Sequence, residues 1–142
     1  MMKPKVMFLC SGNSARSQMA EGWLRHLAGD CFEVVSAGTE PSTVNQLAVE
    51  VMRERRIDIS GHTSKPVGKF LGESFGFLIT VCDTAREKCP IFPGAVKRIH
   101  WSLEDPAAAT GSEAERTAVF RRIRDEIESR IRSWLRDQQP VA

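Results

Sequence analysis

Cys10 opens the run Cys10-Ser11-Gly12-Asn13-Ser14-Ala15-Arg16-Ser17, in which small and polar residues separate a thiol from a guanidinium. Small side chains let successive backbone N–H groups turn toward one point, the arrangement that cradles a tetrahedral oxyanion. A helix starting just after the loop adds its positive N-terminal end. Arg16 adds a planar fork that can bond two anion oxygens at once. That positive field favours the thiolate, the nucleophilic form of cysteine, and Ser17 can donate a hydrogen bond to it. The chemistry expected is attack of a thiolate on a bound oxyanion.

The remaining reactive groups are Cys31, Cys82, Cys89 and the pair Asp105-Pro106. Four cysteines could pair in a secreted protein, but in a reducing compartment they are more often buried, metal-binding or catalytic. Zinc sites draw on close ligand pairs. Here Cys82 and Cys89 are the closest cysteines, with six residues between them, and His26, His62 and His100 are scattered, so no metal centre is expected. Cys31, just before Phe32, reads as a small packing residue.

These groups need elements to hold them, and hydrophobic periodicity supplies the candidates. Lys5 to Leu9 is a short run of strand formers. Ala20, Trp23, Leu24 and Leu27 recur at helical spacing on a helix closed near Gly29. Phe32 to Ser36 reads as a second strand, stopped by Ala37-Gly38. Thr43 with Gln46 has the form of a capping box, opening a helix with Val44, Leu47, Ala48, Val51 and Met52 on one face. A looser stretch runs from Ile57 past Gly68 and Gly72. Phe77 to Val81 is then a third strand and Val96 to Trp101 a fourth, with a short helix suited to Asp83 to Lys88 between them. Ser112 with Glu115 is a second capping box. It starts a long helix carrying Val119, Phe120, Ile123, Ile127, Ile131, Trp134 and Leu135 on one side, with Pro140 beyond its end. Arginines and acids interleave along that helix from Glu113 to Asp137, a pattern read as a solvated, salt-bridged face.

Strands alternating with helices imply βαβ units, hence an α/β domain whose mostly parallel sheet is covered on both faces. Such sheets bind ligands outside the carboxyl ends of their strands. Cys10, Cys82 and the segment after Trp101 each follow a predicted strand, so three functional segments converge on one rim.

Composition narrows the classes further. A chain of 142 residues suffices for one domain, residues 1–142, with a real core. Its 42% hydrophobic and 27% charged residues are globular values. A net charge of +2 excludes a strong general field for nucleic acid. No apolar run approaches the roughly 18 residues of a membrane span. The stretch Val6 to Cys10, after the basic start Met1-Met2-Lys3-Pro4-Lys5, is too short for a signal-peptide core. A cytoplasmic protein is expected.

The run from Cys10 through Glu21-Gly22 resembles the phosphate-binding loop of the low-molecular-weight protein tyrosine phosphatase superfamily. It is more closely similar to that of the thioredoxin-coupled arsenate reductases built on the same fold. Ser36-Ala37-Gly38, Asp58-Ile59-Ser60 with His62-Thr63-Ser64, Cys82 with Cys89-Pro90-Ile91, and His100-Trp101 followed by Asp105-Pro106 extend the resemblance over nearly the whole chain.

The resemblance implies a four-stranded parallel sheet flanked by helices. It makes Asp105 the general acid that protonates a leaving oxygen, a role suited to a carboxyl on a loop restrained by proline. It implies that Cys10 attacks arsenate and that Cys82 displaces arsenite, leaving a Cys10–Cys82 disulfide. Cys89 then exchanges it for Cys82–Cys89, which thioredoxin reduces. Seven helical steps would separate these two cysteines by about 10.5 Å, whereas a disulfide wants Cα atoms about 4.4–6.8 Å apart. The segment between them therefore has to lose its helix on oxidation. Phosphate and sulfate are expected as competing oxyanions, and a monomer as the working form.

In many reductases of this family potassium sits behind the loop. It is held by groups matching Asn13, Glu21, Ser36 and Thr63, with an acidic residue two places after Thr63. This sequence has Lys65 there. An ammonium at that place repels potassium, and the side chain is long enough to bring its own charge to the same oxygens. No tightly bound cofactor is expected, with Lys65 in the ion's place. Two alternatives remain open. A tyrosine or small-molecule phosphatase needs only the loop and the acid. Yet the chain contains no tyrosine, and Ala107-Ala108-Ala109 follow Asp105-Pro106, where such phosphatases typically carry tyrosines. A non-catalytic redox- or oxyanion-sensing module would use only the Cys82–Cys89 switch.

Overall fold

The computed structural model describes residues 3–90 and 95–138; Ile91 and Pro140, singled out above, lie outside them. The elements in chain order are β1 (Lys5–Cys10), α1 (Arg16–Ala28), β2 (Glu33–Gly38), α2 (Gln46–Arg53), β3 (Phe75–Thr80), α3 (Asp83–Lys88), β4 (Ala95–His100) and α4 (Glu113–Gln138). Short 3-10 turns cover Val67–Phe70 and Pro106–Ala108.

The four strands form one sheet in the order β2-β1-β3-β4, and every pair is parallel. Val6, Met7, Phe8 and Leu9 of β1 are each 0% exposed, as a central strand covered on both faces requires. After β1 the chain moves outward to β2, then crosses back to β3 on the other flank of β1. Neighbouring β1 and β3 thus send their following segments apart, which opens a crevice at their carboxyl ends. Cys10 ends β1, and Cys82 follows β3 by two residues.

On α4 the side chains of Phe120, Ile123, Ile127, Ile131 and Trp134 are buried at helical spacing. Trp134 packs on Phe32 and Phe77, with ring centroids 5.2 and 5.0 Å away. The Ser112–Glu115 capping box is complete: Glu115 N–H donates to Ser112 Oγ at 3.1 Å, and Ser112 N–H to Glu115 Oε1 at 3.2 Å.

Four expectations need correction. β2 runs on through Ala37-Gly38, because its register against β1 continues to Cys10↔Gly38. The cap of α2 is Asn45, not Thr43: Asn45 Oδ1 accepts from Leu47 N–H at 2.8 Å, while Thr43 is exposed. Cys31 is exposed in the turn between α1 and β2, where its N–H bonds Ala28 O, and Phe32 does the packing. Arg124 departs from the solvated face of α4. It is buried, donating to Val51 O at 2.9 Å, Glu54 at 2.7 Å and Asp125 at 2.8 Å.

Candidate active site

The loop after β1 is built by turning its carbonyls outward. The carbonyls of Cys10, Ser11, Gly12 and Ser14 accept from the N–H groups of Thr39, Glu40, Ser42 and Asn45. The Asn13 carbonyl accepts from Gln18 Nε2 at 3.1 Å and Ser64 Oγ at 2.7 Å. In a trans peptide the following N–H points opposite to the carbonyl, so the amides of Ser11 to Ala15 are aimed into the hollow. Gly38 makes this docking possible: a Cβ there would lie 2.6 Å from Ser11 O and 2.9 Å from Asn13 N.

Asn13 is the internal brace. It is fully buried and holds φ at +48°, a left-handed conformation that asparagine tolerates better than most residues. Its Nδ2 donates to Ser17 Oγ at 2.8 Å and Ser36 Oγ at 2.9 Å, and its Oδ1 accepts from Lys65 N–H at 2.9 Å. Because Ser17 Oγ accepts from Asn13, its own proton is free for Cys10 Sγ, 2.8 Å away. Cys10 is itself 3% exposed.

Arg16 begins α1 and reaches across to the loop after β4. Its Nη1 donates to Leu103 O at 3.0 Å, and its Nη2 lies 3.8 Å from Asp105 Oδ2. Asp105 stands at the mouth with its side chain 47% exposed, oriented by Ala107 N–H on Oδ1 at 3.0 Å. Cys82 Sγ is 3.8 Å from Ser11 Oγ on the other side of the loop and accepts Ala85 N–H at 3.3 Å, capping α3. Cys89, just past α3, is half-buried with its thiol against Arg98 Nη1 at 3.7 Å. Burial pushes that thiol up, and Arg98 acts against the shift. All four thiols are free.

Beneath the loop lies a second layer. Glu21, 5% exposed, accepts from Ser36 Oγ at 2.6 Å and pairs with Arg25 at 2.7 Å. His62 Nε2 is 3.7 Å from the same carboxylate, and burial pushes its imidazole below the usual value. Lys65 Nζ donates to Thr63 O at 2.7 Å, burial lowering its ammonium's pKa while Glu21 pulls it back. Asn13 Oδ1, both Glu21 oxygens and Thr63 O accept donors from the protein, and Ser36 Oγ donates to Glu21.

The structure therefore brings Cys10, Arg16, Asp105 and Cys82 to one rim and stands Asn13, Glu21, Ser36, Thr63 and Lys65 behind it. Sequence reasoning missed Gln18, Arg25 and His62 in that second layer. Gln18, Glu21 and Arg25 share one stripe of α1 at i, i+3 and i+7, a spacing that could have flagged them. It also missed Asp83, whose carboxylate meets His100.

A thiol heading a loop whose carbonyls turn outward, at the switch point of a four-stranded parallel sheet, defines the class. The chain belongs to the family described as low molecular weight phosphotyrosine protein phosphatase, whose model matches residues 5–140. Among its relatives is an arsenate reductase of Oceanobacillus iheyensis, 46% identical over 132 residues, covering 93% of this chain and 95% of that protein. A solved arsenate reductase in the phosphate-binding state superposes with a TM-score of 0.83 at 35% identity, over 97% of this chain and all of that one. A thioredoxin-dependent arsenate reductase of Corynebacterium glutamicum gives a TM-score of 0.74 at 31% identity, over 95% of this chain and 61% of that one.

Proposed function

We propose that this chain reduces arsenate to arsenite. The observation that carries the reading is the placing of Cys82 against the anion loop, with Cys89 one short helix further on. A phosphatase has no use for either thiol. The loop amides and Arg16 bind arsenate, and the Cys10 thiolate attacks arsenic while Asp105 protonates the oxygen that leaves as water. The Cys82 thiolate then attacks Cys10 Sγ. The S–As bond breaks with its electron pair going to arsenic, arsenite leaves, and a Cys10–Cys82 disulfide remains. The Cys89 thiolate attacks Cys82 Sγ, forming Cys82–Cys89 and releasing Cys10 as thiolate. Thioredoxin returns the two electrons, a reading supported by the thioredoxin-dependent relative. Lys65 supplies behind the loop the positive charge that potassium would bring.

The test is arsenate-dependent oxidation of reduced thioredoxin. Wild type turns over repeatedly, whereas Cys10→Ser, Cys82→Ser and Cys89→Ser do not. The latter two keep weak hydrolysis of an aryl phosphate, because hydrolysis draws only on Cys10, Arg16 and Asp105. Multiple turnovers by Cys82→Ser would overturn the three-thiol cascade. The family favours phosphatase action as the second reading, and efficient aryl phosphate hydrolysis without arsenate reduction would establish it.

A further inference from the structure

The proposed cascade, on which this inference rests, requires α3 to come apart when Cys82 and Cys89 join. Besides the buried Ala85 and the Cys82 cap, α3 is held by a contact outside the anion loop. Asp83 is the first residue of α3, and its Oδ1 lies 2.8 Å from His100 Nε2 and accepts Ser102 Oγ–H at 3.1 Å. The other ring nitrogen of His100 meets Thr80 Oγ1 at 2.6 Å. Thr80 and His100 are register partners at the carboxyl ends of β3 and β4, so the sheet itself fixes the imidazole. His100 is 17% exposed and Asp83 64% exposed: the sheet side of the contact is packed in and the helix side faces solvent. The two hydrogen bonds, from His100 first and then Ser102, hold the Asp83 carboxyl below the usual carboxylate range, as expected for an engaged anion. Among the described residues, the far end of α3 carries an ion pair of Lys88 with Glu40, at 3.2 Å and largely exposed.

We propose that Asp83, His100 and Ser102 form a clamp that holds α3 in its helical dithiol form and thereby sets the reduction potential of the Cys82–Cys89 couple. Closing the disulfide forms one S–S bond and removes two electrons and two protons from the two thiols. In turnover the two electrons end on arsenic, by way of the Cys10–Cys82 disulfide that Cys89 exchanges; in a test tube they pass to oxidised dithiothreitol. A contact made only in the dithiol form stabilises that form, makes the disulfide more oxidising and eases its reduction by an external thiol. These are positioning residues, since none touches the oxyanion or a reacting sulfur.

The experiment equilibrates full-length Cys10→Ser protein with graded ratios of reduced and oxidised dithiothreitol and reads the Cys82–Cys89 disulfide by peptide mass mapping. The parent, Asp83→Ala, His100→Gln and the double variant are compared. Each single variant shifts the equilibrium toward disulfide about two- to fivefold, the range of a partly exposed polar pair. Fivefold corresponds to about 20 mV for a two-electron couple. The double variant shifts no further than the larger single, because both remove one contact. Hydrogen exchange on the reduced protein shows residues 84–88 opening faster in Asp83→Ala. Unchanged equilibria, a shift toward dithiol, or additive effects would overturn the clamp while leaving the cascade intact. Absence of any Cys82–Cys89 disulfide in the oxidised parent would instead sink the cascade, and the clamp's redox role with it.

Discussion

Replacing Asn13 with alanine removes the brace of the anion loop without touching a group that contacts the anion by its side chain. Three hydrogen bonds go: the two buried ones from Nδ2 to Ser17 and Ser36, and the part-buried one that Lys65 N–H makes to Oδ1. At about 1 kcal/mol net for each, the loss is about 3 kcal/mol. Alanine also bears the left-handed φ of +48° less well than asparagine. For a domain of this size 3 kcal/mol is about 10 °C in melting temperature. The second effect is on chemistry. Ser17, no longer held by Asn13, is free to turn its proton away from Cys10, so the sulfur loses a donor to its thiolate. Thermal unfolding measures the first effect, and the pH dependence of Cys10 alkylation by iodoacetamide, read on the Cys10 peptide, measures the second. Asn13→Gly, which accepts the backbone conformation but lacks the bonds, separates strain from hydrogen bonding and recovers only the smaller part. An Asn13→Ala protein that melts within about 2 °C of wild type, with an unchanged Cys10 profile, would refute the reasoning.

Lys65→Ala is expected to lower the melting temperature and loosen the Cys10 loop, and potassium is expected to change neither stability nor arsenate KM in wild type. A rise in melting temperature with potassium, absent at equal ionic strength of a larger cation, contradicts this. Glu54, bonded by Arg121 and Arg124, has its pKa lowered to about 2, so its stabilisation is complete above the ordinary carboxylate value and is lost as pH falls from about 4.5 toward 2. The full shift would exceed 3 kcal/mol, but the side chain is 39% exposed and screening cuts this to about 1 kcal/mol. Urea unfolding from pH 5 to pH 2.5 should show Glu54→Gln losing that much less than wild type, and parallel curves would speak against the bridge. Arg98→Gln removes the charge that offsets the burial of Cys89, so its thiolate forms at higher pH and its alkylation at pH 7.5 slows about two- to fivefold. Equal rates would show that Arg98 does not act on the sulfur.

The loop between β1 and α1 was legible because its residues are contiguous: thiol, small residues and arginine follow one another, and the strand before and helix after are strongly patterned. The helix over Asp83–Lys88 and the capping box at Ser112 were legible for the same local reason. What was not legible depends on partners far along the chain. Ala37-Gly38 looks like a strand terminator in isolation, yet pairing with β1 carries β2 through it. Thr43 and Asn45 are both good caps, and the choice was settled by which oxygen reaches the N–H of Leu47. His62 joins the second layer through Gln18, 44 residues away, and Arg124 is buried because α2 presents Val51 O and Glu54 to it.

The bridge between Gly38 and Pro66 bears on how the sheet ends. β2 is an edge strand, and an open edge is a template on which a strand of another molecule can add. At its carboxyl end the chain lays Lys65-Pro66 alongside, with Gly38 N–H spent on Lys65 O. Proline has no N–H to offer a newcomer, so the pairing stops after one bridge. At the opposite edge, β4 exposes Lys97 and Arg98, and charge there discourages docking of a second sheet. The rim that carries the anion loop is thereby protected from intermolecular strand addition on the β2 side, leaving the loop accessible to small solutes while the sheet beneath it resists aggregation.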